Sequence, residues 1–375
     1  MAGIYIHIPF CRQACHYCDF HFSVSLSSMK ELVEAIKKEI VLRKNYLQGE
    51  DVETVYLGGG TPSILPHAAL MDIFSELAKY FTISKDAEIT LEANPDDLSF
   101  KKIQELVSTP VNRLSVGIQS FFDIDLKFLN RIHTGDEAER CVHHLQEMGF
   151  KNITIDLIYG IQTLSNEQWS KNIEKAFQLN VNHISSYSLT VEPKTVFASM
   201  IQKKSIPNVD DVKSAEQFEI LMDSMLANGF LHYEISNFCK EGFYSKHNSS
   251  YWLGKSYLGL GPSAHSYNGV ARQWNVKSNS KYILSLKENL LPFENEILTE
   301  HQKYNEYILT SLRTIWGVDE KKIESDFSKD VYERYLKSVI EKINEGYVEK
   351  EAGRLTLTRK GKLYADKISS DLFII

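Results

Sequence analysis

Apolar residues in the first half of the chain recur with two alternating periods. Runs of aliphatic and β-branched residues at 4–8, 52–57, 87–93, 113–118, 152–158 and 183–189 have strand character. Between them lie segments in which apolar residues return every three to four positions: 29–47, with Leu32, Ile36, Ile40 and Leu47 on or near one stripe, then 66–80, 99–107, 137–148 and 166–179. Strands and helices that alternate this regularly imply parallel strands joined by crossover helices. Six such units predict an α/β fold, a full or partial β/α barrel rather than an open doubly wound sheet. Past residue 195 the rhythm loosens. Residues 203–212 read as a polar loop around Pro207, 215–226 as a helix closing at Asn228-Gly229, and 230–238 as a further strand. From residue 300 helical periods at 304–314, 319–327 and 332–344 are followed by a hairpin at 347–357 turning at Ala352-Gly353, the order of a small α+β winged-helix-like domain. The expected division is 1–230, 231–299 and 300–375.

Composition narrows the function classes. A chain of 375 residues with 43% hydrophobic content can build one large core and a smaller one. The net charge of −7 argues against general binding to nucleic acid. Winged helices often bind DNA, yet residues 300–375 hold 14 Lys plus Arg against 14 Asp plus Glu. That balance leaves no footprint for a phosphate backbone, so covering the barrel mouth or docking a partner is the expected role. No apolar run approaches the roughly 18 residues that span a bilayer, and strand character begins too early for a leader. A cytoplasmic location, with cysteines kept reduced, is the expectation.

The chemistry concentrates in one loop. Cys11, Cys15 and Cys18 fall within eight residues directly behind the first strand, close enough for three thiolates to serve one metal centre. A closed zinc site would need a fourth ligand, such as His16, His21 or a distant residue, whereas three thiolates on an iron–sulfur cubane leave one iron open. The other strand ends also carry unusual residues: Gly58-Gly59-Gly60-Thr61-Pro62 after the second, Glu92 with Asn94-Pro95 at the third, Gln119 at the fourth and Asp156 near the end of the fifth. The carboxyl ends of parallel strands form one mouth, where ligand sites are built. The glycine triplet lets backbone approach a ligand, but it lacks the Lys-Ser/Thr of a P-loop and is not GxGxxG. Glu92 and Asp156 can accept from a ribose or an amine, and Arg131 can pair with a carboxylate. Farther on, His247-Asn248 with Tyr251-Trp252 offers an imidazole beside aromatic rings. It suits either a haem ligand or a packed loop satisfying its own hydrogen bonds. Cys141 reads as a small buried hydrophobe and Cys239 as a loop or core thiol.

CxxxCxYC behind a first barrel strand, with a glycine triplet behind the second, resembles the radical S-adenosylmethionine superfamily. YIHIPFC, LGGGTPS, LEANP, SVGIQSF, IDLIYG, residues 187–193, YEISNF and GLGPSAHS together resemble the anaerobic coproporphyrinogen III oxidase family over nearly the whole chain. The resemblance implies a partial (β/α)6-type barrel with a winged-helix-like C-terminal domain. It also implies a 4Fe-4S cluster on Cys11, Cys15 and Cys18 whose open iron takes S-adenosylmethionine, and Tyr5, Tyr17, Gly59, Gly60, Thr61, Glu92, Gln119, Arg131 and Asp156 lining that pocket. The family's chemistry is electron transfer from cluster to sulfonium, giving methionine and a 5′-deoxyadenosyl radical. The oxidases extend the motif to CxxxCxxCxC, whereas Phe20 stands here. With His247, Tyr251 and Trp252 this resembles the HemW-like haem chaperone branch. That implies haem and haem-accepting proteins as partners, with an electron donor, peripheral contact with membrane-associated respiratory proteins and a homodimer as further expectations. The alternative is an oxygen-independent coproporphyrinogen III oxidase, a radical oxidative decarboxylase.

Overall fold

The computed structural model describes residues 2–375. Its centre is six parallel strands in sequential order: β1 (Ala2–Ile8), β2 (Val52–Gly59), β3 (Ile83–Ala93), β4 (Arg113–Gln119), β5 (Asn152–Tyr159) and β6 (His183–Ser188). Ile4, Ile6 and Ile8 of β1 are fully buried, and every residue of β4 is buried. Strands covered on both faces are what crossover helices produce. The helices Met29–Leu42, His67–Tyr80, Phe100–Val107, Gly135–Glu147 and Asn166–Gln178 follow the first five strands. Capping boxes at Thr134 and Ser165 satisfy the first amides of the last two of these helices.

The sheet grows at both sides without closing. β7 (Leu231–Glu234) and β8 (Asn237–Cys239) form an antiparallel hairpin beside β6. On the other side β9 (Tyr257–Leu260) lies parallel to β1, and β10 (His265–Tyr267), β11 (Ala271–Asn275) and β12 (Phe293–Ile297) continue antiparallel. The order is β12-β11-β10-β9-β1-β2-β3-β4-β5-β6-β8-β7, a partial barrel. The single strand expected over 230–238 is instead two. The Glu234 carboxylate accepts from Ser236 N (3.0 Å) and Asn237 Nδ2 (2.5 Å) and so bends the chain back between them. The first helix stops at Leu42 rather than running to 47. Arg43, at its end, is buried and donates to Glu39 (2.9 Å), Gln273 (2.8 Å) and Asn275 (3.2 Å), tying the helix end to β11.

A second core gathers Tyr304, Ile308, Leu312, Tyr335, Val339 and Leu355. It is built from the helices Glu300–Leu312 and Lys329–Asn344 and a small sheet of β13 (Val318–Asp319), β14 (Val348–Glu351) and β15 (Arg354–Leu357), ordered β13-β15-β14. Ala352 and Gly353 both have positive φ (48° and 79°), the requirement of a tight type I′ hairpin. This unit is stitched to the outer edge of β7: Ile235 N donates to Arg313 O and Ile315 N to Tyr233 O, both at 3.0 Å. Arg313 also bonds Glu234 (3.1 Å) and Asp366 (2.7 Å). Among the described residues no helix is long and apolar enough to cross a membrane.

Candidate functional site

The carboxyl ends of β1 to β6 open into a cavity of about 1320 Å³. Cys11, Cys15 and Cys18 line it, with Tyr17, Gly59, Gly60, Thr61, Glu92, Gln119, Arg131 and Asp156. Local constraints explain how a loop with little regular structure holds its thiols in place. His16 N donates to Leu129 O (3.2 Å), Asn130 Nδ2 to Ala14 O (2.7 Å) and Gln13 Nε2 to Asn130 O (2.9 Å), so the loop is sewn to the segment after β4. On its other side Gly60 N donates to Ile8 O (2.9 Å) and Thr61 N to Phe10 O (2.7 Å). A Cβ at Gly60 would lie 2.6 Å from Phe10 O and 2.8 Å from Ile8 O, both backbone atoms. Glycine is required there because two chain segments touch.

Polar side chains then link the thiols. Thr61 Oγ1 donates to Cys11 Sγ (3.6 Å) and accepts from Asn94 Nδ2 (3.1 Å). Asn94 Oδ1 accepts from Arg131 Nη2 (2.6 Å), whose other terminal nitrogen donates to Cys15 Sγ (3.4 Å). Arg131 also bonds Gly117 O (2.7 Å). A continuous chain of hydrogen bonds thus runs from one thiol to another. Burial pushes the Cys11 thiol up, and burial with the neighbouring cysteines pushes Cys18 to about 11, so the anionic forms need a cation in their midst. No three His, Cys, Asp or Glu side chains among the described residues converge as ligands of one ion. His16 Nδ1 is engaged by Phe128 O (3.0 Å) and His21 Nε2 by Asn279 Oδ1 (2.8 Å), and neither ring lines the cavity that the three thiols face. Three thiols facing one cavity without a shared ion position fit a cubane, in which each sulfur takes a different iron.

Across the cavity Glu92 Oε1 accepts from Tyr56 OH (2.7 Å) and Oε2 from Gly59 N (3.1 Å). Burial raises its carboxyl to about 7, and burial likewise raises Asp156 to about 6. Two carboxyls kept short of solvent favour a ligand bringing its own donors. Gln119 sits at φ 71°, where a register shift between Gly117 and Gln119 interrupts the β4–β5 ladder.

Four of the residues singled out in the sequence are not at this mouth. Tyr5 bonds His7 Nδ1 (3.0 Å), stacks on Tyr56 and His247, and lines a second cavity with Tyr251 and Trp252. Tyr5 lies too early in β1 to reach the strand's carboxyl end. His247 lines neither cavity. It is fully buried on the helix Lys246–Trp252, with Nδ1 at 2.8 Å from Thr54 Oγ1 and Nε2 at 2.8 Å from Tyr251 OH. Both ring nitrogens are therefore taken, and as folded His247 is not an open iron ligand. Asn94, placed on the rim by sequence, gains its role as the link between Thr61 and Arg131, and the residues missed are Lys362, Asp366 and Lys367 of the C-terminal unit, which wall the same cavity. Only the expectation that this unit covers the mouth pointed to them.

Residues 5–176 match the radical SAM superfamily and residues 298–364 the HemN C-terminal domain. The heme chaperone HemW of Bacillus subtilis (strain 168) is 36% identical over 375 residues, 98% of either chain. That of Lactococcus lactis subsp. lactis (strain IL1403) is 33% identical over 95% of this chain and 93% of its own. Among solved structures, coproporphyrinogen III oxidase (HemN) from Escherichia coli has a TM-score of 0.86 at 24% identity, covering 99% of this chain and 90% of that one, a likeness of fold. With matching length, motifs and architecture, the chain belongs to the HemW family of the radical SAM superfamily.

Proposed function

We propose that the chain is a haem chaperone of the HemW type, holding a 4Fe-4S cluster with exchangeable S-adenosylmethionine at the barrel mouth and passing haem to acceptor haemoproteins. The observation that carries the mouth assignment is the convergence of Cys11, Cys15 and Cys18 on one cavity with the Gly59-Gly60-Thr61 backbone, Glu92, Arg131 and Asp156. The names of the full-length relatives support the haem reading. Once bound, a cluster with an open iron supplies an anchoring point for an amino acid and a source of single electrons. The protein's own work is positional. The Thr61–Asn94–Arg131 bridge holds two thiols, and Arg131 sets a positive charge beside Cys15. Glu92, fixed by Tyr56 and Gly59, presents a carboxyl suited to ribose hydroxyls. Residues 362–367 limit water at the opening.

The reading extends to a division at 1–230, 231–299 and 300–375, a cytoplasmic location, an electron donor for the cluster, peripheral contact with membrane-bound acceptors and a homodimer covering the mouth. Anaerobic reconstitution tests the core of it. The full chain is expected to take about four irons and four sulfides, to lose them in Cys11→Ser, Cys15→Ser or Cys18→Ser, and to retain haem through gel filtration. Vinyl product from coproporphyrinogen III in the presence of reductant would instead establish the decarboxylase. Phe20 in place of a fourth cysteine argues for the chaperone.

A further inference from the structure

The second cavity, about 740 Å³, lies between the β9–β11 side of the sheet and the C-terminal unit. Its volume falls within the roughly 300–1,000 Å³ usual for sites that enclose one organic ligand. Its walls are unusually aromatic: Phe20, Trp252, Tyr257, Tyr267, Tyr307 and Phe327. Such faces suit a flat conjugated ring system. Asp19 and Phe20 line both cavities, so this one opens beside the cysteine loop. Three imidazoles also border it, and their bonding separates them. His7 is engaged by Tyr5 OH (3.0 Å) and His21 O (2.9 Å), and His21 by Asn279 (2.8 Å). His265 alone is solvent-exposed and makes no hydrogen bond among the described residues. Its ring packs near Trp274 (6.2 Å between centroids).

The cations divide in the same way. Arg272 is paired with Glu306 and Lys322 with Asp326, whereas Lys277 and Lys303 form no ion pair among the described residues. An aromatic wall, an imidazole with both ring nitrogens outside any hydrogen bond and two ammonium groups outside any ion pair are the complement of an iron tetrapyrrole carrying two carboxylates. We propose that this cavity is the haem site, with His265 as the iron ligand and Lys277 and Lys303 receiving the propionates. His247 then has a structural role behind the site.

This inference rests on the chaperone reading, and one set of haem titrations of the full chain separates the two. Wild type and His247→Ala are expected to give the same histidine-ligated Soret band. His265→Ala is expected to shift that band and weaken binding at least about tenfold, with added imidazole restoring the band. The double variant Lys277→Ala/Lys303→Ala is expected to weaken haem binding while leaving binding of haem dimethyl ester unchanged. A His265→Ala band identical to wild type, or one that imidazole fails to restore, overturns the ligand assignment and leaves the chaperone reading standing. Equal loss of haem and its dimethyl ester in the lysine variant overturns the propionate assignment. Absence of haem binding by wild type overturns both proposals. Thermal melting of the His265 and lysine variants, matching wild type, excludes misfolding as the cause of their losses.

Discussion

Gly60→Ala is the sharpest probe of how the mouth is built. The added methyl would meet Phe10 O at 2.6 Å, with Ile8 O and Phe10 N at 2.8 Å. All three are backbone atoms of the segment leading into Cys11, so no side chain can swing aside. Overpacking of this kind costs about 1–3 kcal/mol. Separating the segments also strains the bonds Gly60 N to Ile8 O (2.9 Å) and Thr61 N to Phe10 O (2.7 Å), each worth about 1 kcal/mol. A total of about 2–4 kcal/mol is expected, or a fall in melting temperature of roughly 2.5–5 °C at about 2.1 cal/mol/K of unfolding entropy per residue. The displaced segment carries the first thiol, so iron retained after anaerobic reconstitution should fall as well. Gly49→Ala is the control. Gly49 has φ +80° with nothing within 4 Å of a built Cβ, so the change costs about 1–2 kcal/mol of backbone strain. It lies far in sequence from the cysteines and should leave iron content intact. If Gly60→Ala keeps both its melting temperature and its full complement of iron, the contact between glycine loop and cysteine loop does not hold the site.

Three further outcomes follow from the same geometry. His247→Ala leaves Thr54 and Tyr251 without their shared partner in a fully buried position, and should cost about 2–4 kcal/mol in denaturant unfolding. The carboxyl of Glu92 is raised from 4.5 to about 7 by burial. The fold therefore holds a proton that the unfolded chain has released, and unliganded stability falls as pH rises between those values. The pH dependence of melting across that window should shrink in Glu92→Gln, with the share of Asp156, raised from 3.8 to about 6, remaining; an unchanged slope would remove Glu92 as a cause. Arg131→Lys keeps the charge but loses the fork reaching Asn94, Gly117 O and Cys15, so a reconstituted cluster should be lost faster to a chelator than in wild type.

The parts of the fold set by local periodicity were readable before any coordinates. Ile4, Ile6 and Ile8 and the stripe Leu32, Ile36 and Ile40 are buried as their spacing predicts. The mouth was readable for a related reason: in a parallel sheet every strand end falls on one rim, so Gly59, Glu92, Gln119 and Asp156 needed no knowledge of long-range pairing to be grouped. What escaped depends on contacts distant in sequence. Nothing local to Tyr5 says that it will pack against both Tyr56 and His247, and nothing near His247 says that Thr54, from β2, will take its Nδ1. The β7–β8 turn depends on one carboxylate, Glu234, folding back on its own loop, which an apolar run conceals. His265 stood within GLGPSAHS, yet its freedom from hydrogen bonds is visible only once its neighbours are placed.

The seam along β7 also guards an edge of the sheet. Residues 362–367 wall the large cavity, and their unit meets β7 through two ladder bonds and Arg313–Glu234, with Arg359–Asp223, Lys362–His232 and Arg272–Glu306 joining it elsewhere. A sheet edge that would otherwise invite another chain is thereby covered by the same unit that walls the mouth.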